Sequence, residues 1–168
     1  GYAWTMYDAL VKAGEDYGLG LCGSKTVGIF RLEKVYHIYT REIDESTNPF
    51  EANLDAFVQL DKGDFIGRNA MLATKEKGVN RKLVGYEIDS KPIVIPPGTP
   101  IEIDGNQAGK ATFAAFSPTL EKVIGLGYVP VEHSKNGTVL TIHSESGQLK
   151  ASVVDTPFFD PKGTRIRV

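Results

Sequence analysis

The chain has 168 residues, 41% hydrophobic and 24% charged, a balance that excludes wholesale disorder. No apolar run approaches the roughly 18–20 residues of a membrane-spanning helix. With 19 basic and 21 acidic residues the net charge is −2, which supplies no electrostatic footprint for nucleic acid. The length suits one domain, or one small domain with part of another.

The N-terminal stretch lacks a basic region followed by an apolar one, so it does not read as a signal peptide. Trp4, Tyr7, Leu10 and Val11 recur at helical spacing, and Gly14 is a plausible stop. The chain opens inside this helix without a methionine, which suggests a fragment. Gly20-Leu21-Cys22 is a short apolar piece. Ser24 can then cap a second helix running to about Lys34. Tyr36 to Tyr39 alternates like a strand, as do Ala56, Val58 and Leu60. Residues 41–53 form a polar, acidic loop, and residues 65–77 predict a third helix ending near Gly78.

The character changes near residue 80. Val84, Tyr86 and Ile88 share one face of a strand. Four prolines break the chain between positions 92 and 100. Asp104-Gly105-Asn106 is a tight-hairpin signal. Further strands are expected at 110–116, 123–128, 138–143 and 148–154. Their spacing predicts a small antiparallel barrel or sandwich.

Each chemically suggestive residue has a bland reading beside it. Gly18, Gly20 and Gly23 spell G-x-G-x-x-G, but a helix rather than a strand precedes them, so a turn is expected. Cys22 is the only cysteine. It can form no internal disulfide, which suits a reducing, cytoplasmic compartment, and it reads as a buried structural thiol rather than a nucleophile. Glu42, Asp44 and Glu45 read as a solvated acidic loop. His37, His133 and His143 stand far apart, so no metal-ligand spacing exists. Arg31 lies among Ile29, Phe30 and Leu32, where a guanidinium must snorkel, pair or face a ligand carboxylate. Glu33, two residues on, points to another side of the helix. Tyr36 and Tyr39 offer either packing or a stacking surface for a flat ligand.

Several segments, in order, carry a family resemblance: WTMYDALVKAG (4–14), FRLEK (30–34), PFEANL (49–54), LDKGDFIGRNAML (60–72), KLVGYEI (82–88), FSPTL (116–120) and IGLGYVP (124–130). Together with Pro157-Phe158 they resemble the aminomethyltransferase family, typified by the glycine cleavage T-protein. The resemblance implies an α+β chain: the end of a folate-binding α/β region over 1–80, then a small antiparallel β-barrel domain over 81–168. It implies transfer of a one-carbon unit to tetrahydrofolate, with glycine cleavage as the type. The donor would be an aminomethyl group on the lipoyl arm of a partner protein. It also implies no membrane or nucleic-acid partner.

On this resemblance Arg31 matches a folate-contacting arginine and Tyr39 an aromatic position beyond it. Phe159 stands where relatives carry a tyrosine thought to face folate. The catalytic carboxylate is expected upstream, so this chain contributes no catalytic residue and should be inactive alone. Val35 and Asn53 replace family glycines, which suggests altered loops near the substrate side. Residues 159–165 resemble the fused sarcosine and dimethylglycine dehydrogenases, so a fused flavin domain is one alternative; a folate-dependent demethylase is a separate one. Residues 33–39 depart from the K-G-C-Y-x-G-Q-E motif of the relatives that assist iron–sulfur assembly. A noncatalytic interaction module is the alternative of another class.

Overall fold

The computed structural model describes residues 1–144 and 147–166. Three helices come first: α1 (Ala3–Gly14), α2 (Ser24–Glu33) and α3 (Arg68–Lys77). Seven strands follow: β1 (Arg81–Ile88), β2 (Val94–Ile95), β3 (Pro100–Ile103), β4 (Asn106–Ser117), β5 (Lys122–Pro130), β6 (Val139–Ser144) and β7 (Gly147–Val154).

The strands form a closed antiparallel barrel. Its order is β4-β3-β6-β7-β1-β5, and β5 pairs again with β4 to complete the ring. The length of β4 makes this possible. Its first half pairs with β3, its last turns pair with the short β2, and its other edge runs along β5. The hairpin anticipated at Asp104-Gly105 joins β3 to β4. Both residues are left-handed there (φ 51 and 78), the geometry of a two-residue hairpin turn.

Alternation along the strands divides the apolar residues into two layers. Val84, Tyr86, Ile88, Val123, Val129, Ile101 and Ile142 fill the barrel. Leu83, Ala115, Ile124 and Leu126 face outward and receive Leu32 from α2. Gly125 makes room inside: a Cβ there would lie 2.5 Å from two atoms of the Tyr86 ring. The Tyr86 hydroxyl is buried without a hydrogen-bond partner among the described residues, and burial pushes its pKa above the ordinary tyrosine value. Tyr86→Phe removes this unsatisfied group while keeping the ring. It is therefore expected to stabilise the protein by about 1 kcal/mol in urea unfolding.

The N-terminal part departs from the expectations in several places. α1 ends at Gly14, as expected, but Gly14 does not reverse the chain. The chain continues into a 3₁₀ turn (Glu15–Tyr17) and reverses at Gly18, where φ is 67. None of α1 is buried, and of α2 only Arg31, Leu32 and Glu33 are. Tyr36 to Tyr39 forms no strand; a single bridge joins Tyr39 to Ile43. Residues 55–57 form a 3₁₀ turn in place of the strand expected at 56–60. The third helix begins at Arg68 rather than Phe65, because Gly67 precedes it at φ 90. Val35 and Asn53 are both left-handed (φ 58 and 56). The backbone at these two positions thus occupies the region a glycine takes at least cost.

Candidate functional site

The last turn of α2 carries Arg31 onto the outer wall of the barrel. Leu32 beside it is fully buried and pins the turn in place. After α2 the chain turns sharply: Tyr36 N–H donates to the Arg31 carbonyl at 2.8 Å. The following loop comes back over the guanidinium. Arg31 Nη1 donates to Glu42 Oε2 at 2.8 Å and to the Tyr36 carbonyl at 3.3 Å.

Glu42 is not the solvated residue its acidic neighbours suggested. It is 1% exposed. Its Oε2 also accepts the Ile38 N–H at 2.8 Å, and its Oε1 accepts the Thr112 hydroxyl at 3.0 Å. Thr112 reaches it because of a bulge. The β4–β5 register shifts between Ala111 and Phe113, leaving Thr112 as the extra residue. A bulge re-aims the side chain it carries. Its neighbour Phe113 presents its ring to two guanidiniums, with Arg31 Cζ at 5.4 Å and Arg41 Cζ at 4.8 Å. The Tyr128 hydroxyl donates to the Glu42 carbonyl at 2.7 Å, and burial pushes its pKa up to about 12.

The Arg31–Glu42 pair is thus buried within a set of hydrogen bonds. It is also unevenly satisfied. Nη1 is used, but Nε and Nη2 of Arg31 are buried and have no partner among the described residues. Buried N–H groups are normally paired, so the free edge of the fork is an orphaned pair of donors.

Phe159 borders the C-terminal end of α2, and Tyr39 lies on the loop beyond that end. Tyr39 is exposed on the returning loop, with its hydroxyl 3.5 Å from Glu45 Oε1. Phe159 lies on the C-terminal tail. Its N–H donates to the Glu33 carbonyl at 3.1 Å, and Arg165 Cζ stands 5.1 Å from its ring centre. Lys34 Nζ donates to the Asp160 carbonyl at 2.7 Å, fixing the tail to the helix. Glu33 is buried and accepts the Ser117 hydroxyl; it does not pair with Arg31. Cys22 is exposed, in contrast to the buried thiol expected. The Gly18–Gly23 run follows a 3₁₀ turn and holds no strand, so it is a connection.

His37 is half-buried beside this pocket, its Nε2 3.0 Å from the Ala52 carbonyl. Burial lowers its pKa below the ordinary 6.5, outweighing the raising effects of that carbonyl and of Glu42. The folded state thus resists protonation more than the unfolded chain does. The associated stability is present above pH 6.5 and is lost as pH falls below it, toward the folded pKa. In urea titrations the midpoint is expected to fall over that window, and to fall less in His37→Gln.

Comparison with known proteins completes the description. The family profile described as "Glycine cleavage T-protein C-terminal barrel domain" matches residues 81–160. The profile "GCVT N-terminal domain" matches residues 1–62. An aminomethyltransferase of Symbiobacterium thermophilum is 43% identical over 156 residues, covering 92% of this chain and 41% of its own. One from Halothermothrix orenii is 40% identical over 156 residues, covering 93% and 43%. The crystal structure of the glycine cleavage system aminomethyltransferase T from Bartonella henselae superposes with a TM-score of 0.73. It is 28% identical and covers 79% of this chain and 38% of its own. The chain thus spans about two fifths of the length of these relatives.

Proposed function

The chain belongs to the glycine cleavage T-protein family, the family of aminomethyltransferases, and from that premise we propose that it is part of an enzyme that transfers a one-carbon unit to tetrahydrofolate. In this reading residues 1–80 are the end of the folate-binding region and residues 81–168 are the barrel domain. The donor is an aminomethyl group carried by a lipoyl-bearing partner, and the compartment is the cytoplasm. Family membership supports the donor, and the single cysteine suits a reducing compartment.

One observation carries the reading: the unpartnered Nε and Nη2 of buried Arg31. A guanidinium fork fits the anionic tail or polar edge of a folate better than an ammonium does. Arg31 holds that group, Tyr39 supplies an aromatic face and a hydroxyl, and Phe159 supplies a ring alone. When bound, the reduced pterin supplies the nucleophilic nitrogen. The part of this chain is orientation, which is a large share of any transfer between two bound groups. We assign it no catalytic residue, and the 168 residues alone are expected to show no turnover.

The test uses the full-length protein. Arg31→Ala should weaken tetrahydrofolate binding by about 1.5–3 kcal/mol, the range for a hydrogen bond to a charged group. Arg31→Lys keeps a positive charge for Glu42 but removes the fork. It should retain the fold, by circular dichroism, and still lose affinity. Unchanged affinity in the folded Arg31→Lys protein would falsify the role of Arg31.

A further inference from the structure

The C-terminal tail beyond β7 does not trail away; it folds back onto the end of α2. That helix is seated by its last turn alone, through Arg31, Leu32 and Glu33. A helix leaves its last four carbonyls without partners inside the helix. Three of them are met by the residues that follow. Lys34 N–H donates to Phe30 at 3.1 Å, Val35 N–H to Leu32 at 3.0 Å and Tyr36 N–H to Arg31 at 2.8 Å. The fourth carbonyl, on Glu33, is met from far off in sequence, by the Phe159 N–H at 3.1 Å.

Asp160 organises the tail. Its backbone is left-handed (φ 45), a conformation that aspartate tolerates better than most residues. Its Oδ1 accepts from Thr164 N and Thr164 Oγ1, both at 2.8 Å, and its Oδ2 from Arg165 N at 3.3 Å. Gly163 N–H donates to the Asp160 carbonyl at 2.9 Å. The turn closed in this way offers that same carbonyl to Lys34, whose Nζ donates at 2.7 Å and stands 3.7 Å from Oδ2. The two side chains are 22% and 11% exposed, so salt screens them less than an open surface pair. Phe158 packs on the outer layer that holds Leu32 and Leu83. Gly85 leaves room for it, since a Cβ there would meet Thr156 Cγ2 and lie 2.9 Å from Phe158 Cζ.

We propose that residues 155–165 are a strap that fixes the last turn of α2 and so aims the free edge of the Arg31 fork, with Lys34 and Asp160 as positioning residues. The ligand so served is tetrahydrofolate on the reading above, on which this identification rests. Lys34 stands three residues beyond Arg31, at the point where the strap grips the helix. A shift of the last turn carries Nε and Nη2 with it, while Glu42 stays on its own loop.

The experiment uses the full-length protein and measures tetrahydrofolate affinity and amide exchange over residues 31–36. Lys34→Met keeps the apolar stem and removes the ammonium. It should speed exchange at the Tyr36 N–H and weaken binding roughly tenfold, since loosening the support of a positioned group is felt at that group. Lys34→Arg restores a cationic donor and should recover both. In an Arg31→Lys background Lys34→Met should change affinity by less than about twofold, because a residue acting through the fork then has nothing left to aim. The full loss in that background would overturn the positioning role, as would faster exchange with wild-type affinity. If tetrahydrofolate binds and Arg31→Lys weakens it, while Lys34→Met alters neither exchange nor affinity, the strap is overturned and the folate reading is untouched. If the wild type binds no tetrahydrofolate, while exchange still rises in Lys34→Met and returns in Lys34→Arg, the folate reading fails and the strap stands.

Discussion

Glu42→Ala is expected to cost about 3–5 kcal/mol of folding stability, the usual penalty for leaving a buried charge without its partner. Arg31 is 8% exposed and donates to Glu42 at 2.8 Å, so the substitution strands a buried guanidinium without its carboxylate. The Ile38 N–H loses its acceptor as well, and the Thr112 hydroxyl keeps only the Leu126 carbonyl at 3.1 Å. At about 2–4 °C per kcal/mol for a chain of this size, the thermal midpoint should drop by roughly 6–20 °C. Glu42→Gln keeps the shape and one acceptor oxygen and should lose less. Arg31→Leu combined with Glu42→Leu should recover much of the loss, because removing both charges also removes the desolvation cost. If the single Glu42→Ala protein unfolded at the wild-type temperature, the pair would have no structural role.

Gly125→Val is the second large effect. A Cβ at this position would meet Tyr86 Cε2 and Cζ at 2.5 Å and Ala114 Cβ at 2.6 Å, and valine adds two further methyl groups. The ring cannot retreat, since Tyr86 is fully buried in the barrel interior. Overpacking of this kind costs about 3 kcal/mol or more, seen as a lower urea midpoint. Adding Tyr86→Leu should restore part of it. A purely additive double variant would show that the ring and the new side chain never compete for the same space.

The barrel was legible because its strands are long enough to show alternation and are separated by turn residues with a mechanism. Asp104-Gly105 is the clearest case. The misread strands, at 36–39 and 56–60, carry the same alternation over a few residues. A strand is stable only with a neighbour, and at Val35 the backbone turns away before one can form. Arg31 stood out as a charge among apolar residues. Its partner did not, since Glu42 lies eleven positions on, amid exposed acids. Thr112 was invisible for another reason: its reach depends on a bulge that no glycine or proline announces. Only the family resemblance marks Val35 and Asn53 as standing where glycines are expected, and their left-handed backbone supplies the physical reason they matter.

Ring closure also imposes a timetable on the growing chain. The wall on which Leu32 rests is built from Leu83, Ala115, Ile124 and Leu126, all synthesised after α2. β1 must wait for β5 and then for β7 before both its edges are paired. Translation proceeds from the N-terminus at about 5–20 residues per second. The helical part of the molecule therefore leaves the ribosome several seconds before its support exists, with Leu32 and Val35, which pack on that wall, still uncovered. For that interval these residues are open to chaperones, and slowing translation past residue 80 should lengthen the exposure.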